Sequence, residues 1–570
     1  MKTFVLSVSL SCLSILLFAQ IAIKNVNLVE VKYGKILPNS TVVITGDRIA
    51  DVGPSSRIKV PPDAQVIDGT GKFLMPGMVD AHIHFFQSGG LYTRPDGLDL
   101  NHVVPYEKER SEGFANAGDY LNRYLRLGVT TVVDVGGPFS NFAIRDSVGK
   151  AAISPNILVT GPLFSMIDRK KLELNDPPIV KVSSAGTADS LFQMMLPYKP
   201  DFLKIWYIAG PDIPAEKSFP LVQYIAGLAH RHNLKLAVHA TELKTAQLAV
   251  EAGADILVHS VEDEIIPQSF ITLLKQRKVS YTPTLIVMGN YYRTFSGRLD
   301  FHLQDLRWAN AKAYGSLTDP NGLSDQELPP ALRQLRKNGI PKAAHQMDSI
   351  MRINVRNLMR AGVNVITGTD AGNIGTMHAS SYFQELEAML KAGLTTTEII
   401  RASTINPAIA FGKDKDVGSA EKGKLADLVL LDRNPFEELS NLNSISLLIK
   451  SGIVLDATRI VTESPEAVIQ RQLNAYNARN LEAFLDTYAD DVELYNWNGP
   501  QIGKGKEQMR TIYRSLFEQT PNLYCKIEKR IVQGNTVIDQ EYVRFGDRFV
   551  SATAVYEVYQ GKIKKVTFIR

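Results

Sequence analysis

The chain has 570 residues, 45% hydrophobic and 21% charged, with a formal net charge of +4. At about 150 residues per domain this is three or four domains. The composition excludes a disordered chain, and the near balance of charge gives no ground for a nucleic-acid partner.

Residues 1–19 carry Lys2, a serine-rich apolar run from Phe4 to Phe18, and the small residue Ala19. This pattern predicts a secretory signal peptide cut between Ala19 and Gln20. Cys12 lies inside the run with Ser9 where a lipobox needs an aliphatic residue, so a lipoprotein is rejected. Removing the leader leaves one cysteine, Cys525, and no internal disulfide. No other stretch reaches the roughly 18 apolar residues of a membrane helix. The expectation is an exported protein, periplasmic or secreted, with no membrane span in its mature chain.

Residues 20–75 alternate in short β-type segments punctuated by Gly, Pro and Asp. Over residues 76–412, eight short β-branched runs alternate with amphipathic helical stretches such as Phe219–His232 and Tyr382–Lys391. Eight such units predict an α/β fold, a TIM (β/α)8 barrel with insertions. The largest insertion, Tyr292 to Lys342, is polar and reads as a lid. Residues 413–461 return to β-patterning and, with 20–75, predict a composite β-sandwich. After a linker at Thr462–Pro465, residues 465–570 show a helix over Pro465–Tyr488. The strands Lys526–Val532, Thr536–Arg544, Phe549–Val558 and Lys562–Ile569 follow, making a separate α+β domain.

The chemistry-bearing residues sit at predicted strand ends. His82 and His84, two apart in a strand, point to the same side and can share a divalent metal; two satisfied loop histidines are the plainer alternative. His239, His259 and Asp370 each close a further strand. A strand-end Asp is often only a helix cap, but four such positions with a His-x-His at the first predict a metal-dependent hydrolase. Lys204 lies within the apolar run Asp201–Trp206. It is either a lysine reaching solvent or Asp201, or one whose pKa is lowered by burial so that it forms a carbamate bridging two metals.

The motifs PGMVDAHIHF, DFLKIW, LAVHATE, ILVHSVED, TGTDAG and GSAEKGKLADLVLLDRNP resemble the amidohydrolase superfamily, in its imidazolonepropionase-like and prolidase-like branch, over residues 22 to about 460. The resemblance implies two divalent metal ions, zinc foremost. His82 and His84 would hold the first, carbamylated Lys204 would bridge, and His239 and His259 would hold the second. Asp370 would be both a ligand and the catalytic acid–base. Tyr207 would polarise the substrate carbonyl and His378 would bind substrate; core packing and a loop surface are the plainer readings of these two. Imidazolonepropionases hold one metal and lack the lysine, so Lys204 tilts the expectation toward dipeptidase-like members. Residues 465–570 resemble a SnoaL-like, NTF2-like cone, with Tyr476, Asp490, Asp491, Asp539 and Glu541 as polar candidates and an accessory or dimer-forming role.

Together these readings predict an exported amidohydrolase that cleaves the C–N bond of a small-molecule substrate, a dipeptide or N-acyl amino acid, by a metal-bridged hydroxide. The chain is expected to form a homo-oligomer, through the C-terminal domain. Two alternatives stand beside it. One is a cyclic amidase or lactonase using the same centre; the other is an inactive barrel beside a ligand-binding or isomerising cone.

Overall fold

The computed structural model describes residues 20–569 apart from 152, 211, 212, 324, 325 and 547; the expected signal peptide, 1–19, lies outside the described residues. We number the barrel strands β1 (Met78–Ile83), β2 (Val129–Asp134), β3 (Asn156–Val159), β4 (Leu203–Trp206), β5 (Leu236–His239), β6 (Ile256–Val258), β7 (Ser280–Thr282) and β8 (Asn364–Val365). β1 to β3 pair in parallel, as do β4 to β8. Backbone bonds complete the ring at both seams. Ala81 N donates to Thr367 O at 2.9 Å and Asp370 N to His82 O at 2.7 Å, while Asp201 N donates to Val159 O at 2.9 Å. The interior is packed by Val79, Ala81, Val133, Leu158, Phe202, Ala237, Ile256, Val258 and Ile366. Strands buried on both faces explain why their sequences read as apolar runs without alternation. The surrounding helices alternate instead: Ala215–Arg231 buries Val222, Ile225, Ala226 and Ala229, one stripe of a 3.6-residue period.

An eight-stranded sheet joins the two flanks of the barrel. Phe73–Pro76 pairs in parallel with Gln20–Glu30 and antiparallel with Leu428–Leu431, which leads on to Ile445–Lys450 and Ile453–Asp456. A buried ion pair, Lys450 to Asp427 at 3.0 Å, anchors this sheet to the barrel, because Asn156 at the start of β3 donates to the same carboxylate at 2.7 Å.

Two expectations are corrected in the last third of the chain. The helix expected over Pro465–Tyr488 is two helices, Pro465–Asn477 and Leu481–Asp486. Arg479 turns left-handed at φ 53°, and the Asn480 side chain caps the second helix by accepting from Ala483 N at 3.0 Å. Tyr488–Asn496 is then a strand in a six-stranded sheet with Gln501–Lys504, Lys562–Ile569, Arg548–Tyr559, Thr536–Phe545 and Tyr524–Gln533. The insertion after β7 is not polar throughout. Its helices Leu303–Trp308 and Ala311–Ser316 bury Leu306, Ala313 and Tyr314. These residues belong to one apolar core with Leu91 and Tyr92 after β1, Ile374 and Met377 after β8, and Val468, Ile469 and Phe484 of the C-terminal domain.

Candidate metal centre

The ends of β1 and β8 lie side by side, and that adjacency builds the site. His82 Nε2 is 3.2 Å from His84 Nε2, and Asp370 Oδ1 lies 3.2 and 3.1 Å from those same two atoms. His259, at the end of β6, brings Nδ1 to 3.9 Å from Asp370 Oδ2. One ligand atom each from His82, His259 and Asp370 falls within 4.8 Å of the others. His239, at the end of β5, packs its ring 4.4 Å from that of His259. His259, Thr284 and Asp370, at the mouth, all have left-handed backbone, with φ of 75°, 44° and 59°. Non-glycine residues hold that conformation at a cost of about 1–2 kcal/mol each, so the surroundings must impose it. The Asp370 N–H bond to His82 O supplies part of that constraint.

The crowding of ligand atoms points to a cation. His84 Nδ1 faces Gly136 O at 2.7 Å and must donate to it, which turns His84 Nε2 toward His82 and Asp370. Burial lowers His82 to about 4 and holds His239 and His259 well below the ordinary histidine range, so these rings are neutral near pH 7. Burial opposes ionisation of Asp370, but the adjacent histidine nitrogens hold its carboxyl well below the usual range. His82 Nε2, His84 Nε2 and Asp370 Oδ1 lie within 3.2 Å of one another, and lone pairs that face each other there repel. A divalent ion relieves that repulsion, and neutral imidazoles with a carboxylate are the donor set such ions take.

Lys204, on β4, is 2% exposed and its Nζ has no hydrogen-bond partner among the described residues. Burial lowers its pKa to about 7, against the pull of Asp370. It neither reaches solvent nor pairs with Asp201, whose carboxylate takes Arg145 at 3.1 Å and Val159 N at 3.0 Å.

Two expected site residues are corrected. Tyr207 is 1% exposed in the main core and donates its hydroxyl to Ala215 O at 2.5 Å, so it is not free to polarise a carbonyl. His378 is not a loop-surface residue, and its ring nitrogens are taken up inside the chain. It is buried, with Nε2 on Gln87 O at 2.9 Å, Nδ1 3.3 Å from the Tyr124 hydroxyl, and its ring stacked on Tyr120 at 4.4 Å. The polar candidates of the C-terminal domain are occupied too. Asp539 binds Arg530 at 2.6 and 2.7 Å and Glu541 accepts from Tyr556 at 2.7 Å. Asp490 and Asp491 are strand-surface partners of Lys506 and Lys564, and Tyr476 lies in an aromatic cluster with Phe484 and Phe517.

Other residues complete the site. The Asp80 carboxylate accepts from Thr369 N at 3.0 Å and Thr369 Oγ1 at 2.7 Å, tying β1 to the segment that ends in Asp370. Arg94 is held by Asp96 through two bonds of 2.7 Å and by Asn373 Oδ1 at 2.8 Å, and its charge acts on both Asp370 and His239. Arg169 sits 4.7 Å over the Trp206 ring, which packs against His239. Asp80 lies inside a motif that could have drawn attention to it. Arg94 and Arg169 fall in polar loops where an arginine looks like any surface residue.

Residues 73–455 match the amidohydrolase family and residues 469–566 match the SnoaL-like domain. The chain is 23% identical over 463 residues to an imidazolonepropionase of Shouchella clausii, covering 76% of this chain and 88% of that one. It is 22% identical over 481 residues to a 5-methylthioadenosine/S-adenosylhomocysteine deaminase of Thermoanaerobacter pseudethanolicus, covering 80% and 96%. A solved Xaa-Pro dipeptidase with methionine bound in its active site superposes with a TM-score of 0.57 at 20% identity, over 77% of this chain and all of that one.

Proposed function

The chain belongs to the amidohydrolase family and is a hydrolase of carbon–nitrogen bonds; from that premise we propose that it is exported by its leader and cleaves the amide of a dipeptide or an N-acyl amino acid. The observation that carries this reading is the convergence of His82 Nε2, His84 Nε2 and Asp370 Oδ1 within 3.2 Å of one another. His82, His84 and Asp370 would hold one divalent ion. His239, His259 and a Lys204 carbamate would hold a second, zinc foremost for both. Bound there, such ions polarise a carbonyl and bring the pKa of water toward neutrality.

The chain's own groups do the rest. Asp370 Oδ1 faces the two rings, while Oδ2 turns toward His259, at 3.9 Å from its Nδ1. Oδ2 is therefore the atom that takes a proton from the attacking water and passes it to the leaving nitrogen, a task suited to a carboxylate that is ionised beforehand. Lys204, near neutrality as a free amine, can add to carbon dioxide: the N–C bond forms and the amine loses a proton to solvent. Arg94 and Arg169 share the Asp96 carboxylate, which leaves one net positive charge at the mouth and suits a substrate with a free carboxylate beside its amide. Cleavage of a cyclic amide, as the imidazolonepropionase relative's name describes for that protein, would use the same groups.

The test is metal content and hydrolysis by the purified mature chain. The expected result is two equivalents of divalent metal and hydrolysis of a member of a panel of Xaa-Pro and other dipeptides, N-acyl amino acids, cyclic amides and lactones. Chelation should abolish turnover. Lys204→Ala should lose at least one equivalent and slow turnover about 100-fold, the scale of a removed metal-supporting group. Full metal and turnover in that variant would sink the carbamate, and hydrolysis of lactones alone would favour the cyclic alternative.

A further inference from the structure

We propose that the SnoaL-like domain is a positioning element of the hydrolase site: through the insertion after β7 it holds the loop that carries Arg94 to the metal centre. The contacts run without a break. On the C-terminal side, Asn474 of the helix Pro465–Asn477 donates Nδ2 to Ala311 O at 2.7 Å, and the Tyr524 hydroxyl donates to Thr318 O at 3.3 Å. Both acceptors belong to the insertion. From there Ser316 Oγ accepts from Leu91 N at 2.9 Å, and Asp319 Oδ2 accepts from the Tyr92 hydroxyl at 2.8 Å. Two residues later the loop presents Arg94. Its guanidinium reaches Asn373 Oδ1 at 2.8 Å, the Tyr291 hydroxyl donates to the same oxygen at 2.8 Å, and Asn373 Nδ2 donates to the carbonyl of Asp370 at 3.1 Å.

Apolar packing follows the same route. Leu91 and Tyr92 of the loop, Leu306, Tyr314 and Leu317 of the insertion, and Val468 and Ile469 of the C-terminal helix share one core. Gly315 shows how close the approach is. A Cβ there would come within 2.6 Å of Asn474 Oδ1 and 2.8 Å of Gln470 Nε2. A domain that only added mass or solubility would not need side chains interleaved with an active-site loop. Packed cores and hydrogen-bonded chains that have one arrangement are the physical means by which a distant element holds a site. Tyr92 is a positioning residue here and Arg94 is the group it places; the kinetic arm of the test rests on the hydrolase reading above, and the structural arm does not.

The experiment uses the full chain with Asn474→Ala combined with Tyr524→Phe, which removes these two hydrogen bonds and leaves the wider Arg307–Asp486 ion pair, at 4.0 Å, in place. Hydrogen–deuterium exchange is read by peptide. Exchange should quicken about tenfold in residues 88–98 and 370–377, because local opening there becomes easier. Tyr92→Phe, on the barrel side, should quicken 88–98 while leaving 303–321 and 465–477 as protected as in the parent. Tyr542→Ser, at an exposed position of the C-terminal sheet, should change none of these. Should the double variant fail to fold, Gly315→Ala displaces Asn474 from the opposite side while favouring its own helix. For whichever amide of the panel the parent hydrolyses, KM should rise at least fivefold with kcat within twofold. Quickened exchange confined to 303–321 and the C-terminal domain, with 88–98 unchanged, overturns the proposal. A parent that hydrolyses no amide overturns the functional reading alone, since the exchange result still decides this one.

Discussion

Lys204 and Glu541 are both ionisable groups within the interior, and burial moves each toward its neutral form. The Lys204 Nζ is buried and has no hydrogen-bond partner among the described residues, so its ammonium form pays a desolvation cost and its pKa falls to about 7. That is the physical basis for a lysine that can react as an amine. Glu541 faces the inside of the C-terminal sheet, where burial raises its carboxyl to about 7 although Tyr556 donates to it. A raised folded-state pKa means that its contribution is fully present below about 4.5 and is lost as pH rises through about 7. Glu541→Gln, which keeps the acceptor and never ionises, should therefore match the parent's melting temperature at pH 4.5. By pH 8 it should exceed it by a few degrees, for a stabilisation on the order of 2 kcal/mol. A difference that is flat across pH 4.5–8, read by differential scanning calorimetry, would show that Glu541 is solvated.

At the scale of elements, the seam between β1 and the segment leaving β8 decides whether His82, His84 and Asp370 meet. The two run so close that Gly368 has no room for a side chain. A Cβ there would stand 2.7 Å from His82 Cβ, 3.0 Å from His82 N and 2.6 Å from Thr282 Cγ2. Its backbone φ is not in the left-handed region, so the constraint is contact alone. Gly368→Ala should push β1 outward, costing about 1–3 kcal/mol as overpacking does. Because His82 is the neighbour struck, metal affinity should fall with stability. Melting temperature and metal titration measured together check this: a stable variant with unchanged metal affinity would mean that the seam yields without moving the ligand.

For the whole molecule, the shared core changes what the C-terminal domain is. A domain joined by a linker at residues 462–465 reads as removable. Yet Leu306 and Leu317 of the insertion are each 2% exposed, in a cluster to which Val468, Ile469 and their neighbours also belong. Ending the chain at Val461 would bare these side chains, each worth about 1.5–3 kcal/mol when buried, as one apolar patch. The expected outcome is a truncated protein that binds a hydrophobic dye, associates in solution and melts several degrees lower. A soluble, dye-negative truncation with the parent's melting temperature would show that the barrel closes its core alone.

Local pattern was enough for the barrel strands and for the placement of His82, His84, His239, His259 and Asp370 at strand ends, because strand period and apolar runs are written within a few consecutive residues. The burial of Lys204 was legible too, from one charge inside an apolar strand. What local pattern did not carry was anything set by residues far apart in the chain. Tyr207 and His378 stand near site residues in sequence but turn into the core, since their partners, Ala215 O, Gln87 O and Tyr124, are chosen by packing. The insertion looks polar when read alone because its apolar stripe is completed by a helix some 150 residues later. Arg94 acquires meaning only through Asn373 and Asp370, nearly 280 residues away. The sequence by itself determined which residues could hold a metal and on which strands they lie. The tertiary structure decided which of them meet and what buttresses them, because contact between distant segments depends on how whole elements pack.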